Sequence, residues 1–325
     1  MKTLANLSNR TVIFILVGIA LISSIASLLL NIIFQADLSV RWWVSWLQNF
    51  STEMFGAFLT FVLIELIVGG RERRNFEKHE LMDHLLHHLT NPTNGEAAAA
   101  LDELHELGWL TDGSLKGKYL GHAKLKSAVL ERADLEGACL EMANLQFASL
   151  RAINLQGANL RRANLRGAKL TSATMQEANL VNANLAEAYL EGANLQSAHI
   201  GFADIHDAQM VIANLQKAYL EGANLEGANL SFANLKNAHL EGADLKKVKL
   251  QGANLEGVCL SMADLEFADL SRATFDEHTV LPDQTHWSPA EDMRRFTEPS
   301  HPAFWRSENP CSPAYHQHNG HQMLP

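Results

Sequence analysis

The chain has 325 residues, with 36 acidic against 26 basic side chains and a net charge of −10 at pH 7. The acidity lies outside residues 113–275, because that segment alone carries 17 acids and 16 bases. No segment is basic enough to predict a nucleic-acid partner.

The first predicted element, residues 1–70, is a membrane hairpin with spans at about residues 11–34 and 50–70. Residues 11–34 contain no charged side chain and are long enough to cross a bilayer as a helix. The basic residues flank the two spans, with only Arg41 between them. The positive-inside rule then predicts a multi-pass protein of the cell inner (plasma) membrane, with both termini and the solenoid described below in the cytoplasm. A cleaved signal peptide is the alternative for the first span.

Residues 71–112 are predicted to form a helical linker and an N-terminal cap. His84, His87 and His88 lie on or near one helix face, and the four-residue spacing of His84 and His88 can hold a metal ion. A zinc-protease motif would need Glu where Leu85 stands, and the pattern dictates no third ligand. A solvated helix face is the favoured interpretation, and metal binding by these histidines stays an open alternative.

Residues 113–275 repeat with a period of five. Leu occupies 28 of the 32 positions spaced by five between Leu115 and Leu270, and Ala stands two residues ahead of most of them. A step of five advances about 500° around an α-helix and alternates between the faces of a flat strand. The period therefore predicts a solenoid of short extended sides, with Leu and Ala inside and coils about 4.8 Å apart. The Asn or Asp before many leucines is predicted to brace the corners.

The repeats Ala193-Asn194-Leu195-Gln196-Ser197 and Ala223-Asn224-Leu225-Glu226-Gly227 resemble the pentapeptide-repeat family. The resemblance implies an all-β solenoid, a right-handed quadrilateral β-helix with four repeats, or twenty residues, per coil. Periodicity alone does not distinguish a four-sided coil from a three-sided one. Glutamines that recur at intervals of twenty favour four sides: Gln156, Gln176, Gln196 and Gln216. The order of hairpin, helical cap and repeats is similar to that of membrane-anchored bacterial members, for which the resemblance implies no general activity.

One column of the predicted coil carries ring side chains in succession. His199, Tyr219 and His239 stand twenty residues apart, so a four-sided coil would stack them. With the four glutamines, they are the predicted interaction patch, and packing between coils is the alternative interpretation. Cys139 and Cys259 share this column, but six coils of about 4.8 Å place them about 29 Å apart, too far for a disulfide.

Residues 276–325 are predicted to form a C-terminal cap followed by a disordered tail from Pro310 onward. The aromatic residues between Trp287 and Trp305 would cover the open end of the solenoid, while the segment after Pro310 is polar.

The sequence contains no recognisable catalytic constellation, so it predicts a protein that is not an enzyme, with no cofactor, no catalytic residue and no dedicated metal site. The leading hypothesis is a membrane-anchored protein-interaction scaffold on the cytoplasmic face. Its partners would be an unknown protein at the membrane and the lipid bilayer through the hairpin, and association with further copies of the same chain stays an open alternative. A metal-handling membrane protein centred on His84 and His88 is one alternative. Resemblance to the quinolone-resistance pentapeptide proteins implies another, topoisomerase binding by DNA mimicry, although residues 113–275 are nearly neutral.

Overall fold

The computed structural model describes residues 25, 56, 60, 75–90 and 96–315. The chain divides into two compact units, Met1–Met82 and Asp83–Pro325. In the first unit, residues 75–82 are helical, and the Thr60 hydroxyl donates a hydrogen bond to the Gly56 carbonyl at 2.8 Å.

The predicted membrane spans, about residues 11–34 and 50–70, lie outside the described residues except for Ile25, Gly56 and Thr60. Among the residues that the structure describes, no helix combines the length and the apolar character that a bilayer crossing requires. The predicted multi-pass location in the inner membrane is therefore contradicted. A bilayer crossing requires about 20 predominantly apolar residues in one helix.

The second unit contains a four-sided solenoid. Parallel bridges of single residues join each side to the same side of the next coil, twenty residues on, from Tyr119–Cys139 to Asn254–Thr274. This spacing confirms four repeats per coil and excludes the three-sided alternative. The bridges do not merge into longer strands in residues 96–315, because only three residues separate one turn from the next.

The interior of the solenoid holds the Leu and Ala positions of the repeat. Leu140, Leu195 and Ala193 are each exposed by 1% or less, which confirms their predicted inward orientation. Burial of each Leu contributes about 1.5–3 kcal/mol. The backbone is paired along the axis at the same time, as when the Leu195 N–H donates to the Asn214 carbonyl at 2.7 Å.

Each corner of the solenoid is a tight turn. The Ala N–H donates to the carbonyl of the preceding Leu, as Ala198 does to Leu195 at 3.0 Å. The second residue after each Leu, or after the residue that replaces it, has a positive φ, for example 64° at Gly222 and 54° at Ile212, which follows Met210. A positive φ at the third residue is typical of a type II turn, and glycine is favoured there because a Cβ is strained in that region.

Asparagine side chains brace the corners as predicted. The Asn194 Oδ1 accepts the Gln196 N–H at 3.2 Å, which fixes the entry into the turn. The same bond is made by Asn154, Asn159, Asn164, Asn179 and Asn184. Some of these side chains also connect coils, since Asn214 Nδ2 donates to Asn194 Oδ1 at 3.1 Å.

Helical residues precede the N-terminal end of the solenoid. Residues 83–90 are helical, and helix α1 spans Glu96–Glu106. The Lys124 N–H of the first coil donates to the Leu89 carbonyl at 3.0 Å. The helical residues therefore satisfy a backbone donor that an uncovered first coil would leave open.

The C-terminal end is covered by residues 276–315. Val280 bridges to Cys259, twenty-one residues earlier, so one extra residue enters the last coil. The Phe267 N–H donates to the Thr297 carbonyl at 2.8 Å, at the end of the short helix α2, Arg294–Thr297.

The predicted start of disorder at Pro310 is too early. The Ser312 hydroxyl donates to the Met262 carbonyl at 2.7 Å, and Ala314 is 4% exposed. Polar composition does not predict this order, because the printed sequence gives no sign that the hydroxyl of Ser312 bonds to the last coil. Residues 316–325 lie outside the described part of the chain.

Candidate functional site

One side of the solenoid carries varied side chains at the position that the two adjacent sides fill mostly with Asn and Asp. We call this row the aromatic column. In chain order its members are Tyr119, Cys139, Asn159, Asn179, His199, Tyr219, His239 and Cys259. The continuous series of bridges confirms that Cys139 and Cys259 share one column, and both are free thiols.

Three rings of the aromatic column stack face to face. The centroids of His199 and Tyr219 are 4.8 Å apart with the ring planes at 3°, and those of Tyr219 and His239 are 5.1 Å apart at 7°. These distances match the spacing of about 4.8 Å between bonded coils, so the backbone itself sets the stacking distance. His199 and Tyr219 are exposed, while His239 is half-buried.

The predicted glutamines lie at the corner that precedes the aromatic column. Their backbones are aligned, because the Ser197 N–H donates to the Gln216 carbonyl at 2.9 Å and the Glu177 N–H to the Gln196 carbonyl at 3.0 Å. Each glutamine is three residues ahead of a column member along the chain. The structure therefore brings the three rings together and places the glutamines Gln156, Gln176, Gln196 and Gln216 beside them, at a separate corner. Their joint role as an interaction patch stays a prediction.

Two carboxylates at the following corner complete a cluster that sequence reasoning missed. Glu221, His239 and Glu241 each offer one ligand atom, and these atoms all lie within 4.8 Å of one another. His239 Nδ1 is 3.3 Å from Glu241 Oε1. Glu241 Oε2 is buried without a hydrogen-bond partner in the described part of the chain. The available signal was the recurrence of Glu two residues after Tyr219 and again after His239.

A thiol stands one coil beyond this cluster. His239 bridges to Cys259, which is half-buried. Burial raises the pKa of the Cys259 thiol, and the Glu241 carboxylate, which accepts a hydrogen bond from that thiol, raises the pKa further against an opposing backbone bond from Ser261. The cluster can thus offer one imidazole, two carboxylates and a neighbouring sulfur.

The histidines near the N-terminal end of the second unit form a smaller group. His84 Nε2 and His88 Nε2 are 3.1 Å apart, and His88 Nδ1 is 3.1 Å from Glu96 Oε2. The His87 ring centroid lies 6.1 Å from that of His88. Among the described residues, no third ligand joins His84 and His88 in a group of metal-binding size, so these histidines suit a metal ion less well than the cluster of Glu221, His239 and Glu241 does.

Other exposed rings pack between coils instead of forming a column. An ideal Cβ placed on Gly222 would lie 2.7 Å from Cε1 of Phe202, so the ring occupies the space above the glycine of the next coil. The same arrangement pairs Phe147 with Gly167 and Phe232 with Gly252. These phenylalanines therefore have a structural role.

Comparison with known proteins identifies the repeat. The family model described as "Pentapeptide repeats (8 copies)" matches residues 143–180, 175–210, 213–252 and 249–278. No curated protein matches the chain.

Solved structures of repeat proteins are also similar to this chain. HetL from the cyanobacterium Nostoc sp. strain PCC 7120, a pentapeptide repeat protein involved in heterocyst differentiation regulation, is 29% identical over 58% of this chain and 98% of its own, with a TM-score of 0.38. The pentapeptide repeat protein alr5209 from Nostoc PCC 7120 is 34% identical over 28% of this chain and 79% of its own, with a TM-score of 0.16. QnrB1, a plasmid-mediated fluoroquinolone resistance protein, is 19% identical over 50% of this chain and 92% of its own, with a TM-score of 0.28.

Proposed function

This chain belongs to the pentapeptide-repeat family, whose members form right-handed quadrilateral β-helices and are in general structural or interaction proteins; from that premise we propose that it is a non-enzymatic scaffold that binds a protein partner through the aromatic column. The observation that carries the proposal is the stack of His199, Tyr219 and His239 on consecutive coils. The partner would be recognised by a flat row of rings with polar edges.

The backbone that carries the three rings is rigid, and this makes the row of rings suitable for binding. The backbone on both sides of Tyr219 is held by neighbouring coils, through the Tyr219 N–H to the Ala198 carbonyl at 2.9 Å and the Ile200 N–H to the Tyr219 carbonyl at 2.6 Å. A ring that is already fixed loses little conformational entropy on binding. Tyrosine is also among the residue types enriched at the energetic centres of protein interfaces.

Site-specific photo-crosslinking in native cells tests the proposal. A photoreactive phenylalanine analogue is placed at Tyr219 and, as a matched control, at Tyr189, which is exposed on another side of the solenoid. We expect one protein to be captured from position 219 and not from position 189. Tyr219→Ala should then weaken the affinity for that protein at least about tenfold, or about 1.4 kcal/mol. Equal capture at both positions, or an unchanged affinity, would contradict the proposal.

Topoisomerase binding by DNA mimicry is a second interpretation, and the charges of the solenoid weigh against it. A DNA mimic needs an extended unpaired anionic surface, but several carboxylates here are paired with lysines of other coils, as Glu226 is with Lys247 at 2.7 Å and Glu256 with Lys236 at 2.8 Å. A gyrase supercoiling assay with the purified chain distinguishes the two functions, because a scaffold that uses the aromatic column should leave supercoiling unchanged.

A further inference from the structure

The corner beside the aromatic column carries two carboxylates that lack cationic partners. Glu221 and Glu241 occupy the same turn position on consecutive coils, so two like charges face each other across one coil spacing. In the described part of the chain, neither lies within ion-pair distance of a lysine or an arginine, and the His239 imidazole nitrogen Nδ1 lies 3.3 Å from Glu241 Oε1. Like charges in such positions are destabilising unless a cation stands between them.

Elsewhere on the same solenoid, stacked carboxylates do have cations. Asp244 and Asp264 occupy the same position on consecutive coils, and Lys246 Nζ lies 3.2 Å from a carboxylate oxygen of each. No lysine neutralises the pair Glu221 and Glu241 in this way. The turn position itself accepts a lysine, because Lys246 occupies the equivalent position at another corner. The exception coincides with the position where a histidine and a thiol are adjacent.

We propose that Glu221, His239 and Glu241 form a binding site for a divalent transition-metal ion of the zinc class. Three ligand atoms within 4.8 Å of one another need only small side-chain rotations to bind one ion through ligand bonds of about 2.0–2.2 Å. One imidazole nitrogen with two carboxylate oxygens favours zinc over calcium or magnesium, which prefer oxygen ligands alone.

The surroundings prepare the three ligands. Stacking on Tyr219 fixes the plane of the His239 ring, and the bond to Glu241 fixes its rotation. Gly201, one coil before Glu221, has no side chain, and a Glu221 oxygen lies 3.8 Å from the place where its Cβ would be. The buried Oε2 of Glu241 lacks a partner that a metal ion would supply. Since the site is half-exposed, water completes the coordination sphere.

Zinc stoichiometry of the full chain tests the site. Equilibrium dialysis against zinc chloride measures the ions bound per chain for the wild type and for His239→Ala, Glu221→Gln and Glu241→Gln. We expect each of the three variants to lose one zinc equivalent. Glutamine is compatible with this turn position, because Gln196 and Gln216 occupy it at another corner, and unchanged thermal melting would verify that the variants fold.

His199→Ala is the matched control. It removes the same ring type from the same stack, but Gly201 stands where His239 has Glu241, so the control should retain the full zinc stoichiometry. Equal losses in His199→Ala and His239→Ala, or no loss in any variant, would overturn the proposal. In crystals soaked with zinc, an anomalous peak beside His239 would support it, and peaks found only elsewhere would refute it. The zinc site and the protein-binding role can be contradicted independently, because photo-crosslinking of a partner at position 219 requires no added zinc.

Discussion

Charged side chains at the corners form their ion pairs between coils. Arg166 Nη2 lies 2.8 Å from Glu187 Oε1, twenty-one residues later, and Lys247 Nζ lies 2.7 Å from Glu226 Oε1. These side chains are about half-exposed, so water and salt screen each pair and it stabilises the fold only weakly. Their main effect is on the surface pattern, because paired charges are less available to a partner than the rings of the aromatic column.

Lys246 is the most enclosed of these cations. Burial acts to lower its pKa, but the Asp264 and Asp244 carboxylates, each 3.2 Å from Nζ, outweigh burial and raise the pKa. Asp264 is itself only 4% exposed. The lysine is therefore required as the counter-charge of a buried carboxylate, a different role from that of the exposed pairs.

His206 makes stability depend on pH near neutrality. Asp204 Oδ1, 2.7 Å from Nδ1, raises the pKa of His206 above its usual 6.5. A raised folded-state pKa stabilises the fold below the unfolded-state pKa, and this contribution disappears as the pH rises through the folded-state pKa. His206→Gln should therefore reduce stability at pH 5.5 by up to about 0.5 kcal/mol and have a smaller effect at pH 8.

The control for this prediction is Glu226→Gln, one coil later at the same corner. Lys247 lowers the pKa of Glu226 below 4.5, so the stabilisation by that carboxylate is complete above that pH and is lost only in acid. His206 is only the smallest of the influences that lower the Glu226 pKa, so urea denaturation at pH 5.5 and pH 8 should show a much smaller change in effect for Glu226→Gln than for His206→Gln. Parallel behaviour of the two variants would contradict the histidine prediction.

At the scale of the coil, phenylalanine and glycine at the same corner of consecutive coils form a packing unit. The Phe202 ring lies over Gly222, and the available space depends on the missing Cβ. The pairing is visible in the sequence once the twenty-residue spacing is known, since Phe147 precedes Gly167 and Phe232 precedes Gly252 by the same interval.

Gly222→Ala should destabilise the chain more than Gly242→Ala. The two glycines have φ values of 64° and 65°, so the backbone strain of an alanine is the same. Around Gly242 the space is open, whereas a Cβ on Gly222 would meet the Phe202 ring. We expect a difference of about 1 kcal/mol in denaturant melts, removed in a Phe202→Ala background. If the difference between Gly222→Ala and Gly242→Ala is the same with Phe and with Ala at position 202, the ring does not pack on the glycine.

The sequence alone predicted the parts of the coil that follow from periodicity. Inward Leu195, corner bracing by Asn154 and stacking of His199 on Tyr219 all depend only on register. The cluster around Glu241 could not be predicted in this way, because it depends on where side chains point after a corner. The extra residue before Val280 also escaped prediction, since the bridge it shifts lies beyond the last regular repeat.

At the scale of the whole second unit, contacts in a solenoid join neighbouring coils only. A defect at one end should therefore remain there. Thr279 is fully buried, and its hydroxyl donates to the Leu255 carbonyl at 2.9 Å, so it holds the C-terminal segment on the last coil.

Thr279→Val should loosen the last coil without affecting the middle of the solenoid. The substitution conserves shape and removes a buried hydroxyl that donates to the Leu255 carbonyl and accepts the Asp276 N–H at 3.2 Å, at a cost of about 1–3 kcal/mol. Hydrogen exchange should accelerate at the Leu260 N–H, which donates to Val280, while the Leu180 N–H stays protected. Thr285→Val, at an exposed threonine, is the control. Acceleration spread over all coils would mean that the solenoid opens as one unit.

The twenty-residue spacing of the bridges also constrains how such a chain can change its length during evolution. An insertion of one pentapeptide keeps Leu and Ala inside, but it carries all later residues a quarter turn around the axis. Placed between Tyr219 and His239, it would move the histidine to another side and dismantle both the ring stack and the carboxylate cluster. Only gains or losses of twenty residues preserve every row on the outside. Selection for the fold therefore tolerates steps of five, whereas selection for a surface recognised by a ligand or partner permits only whole coils.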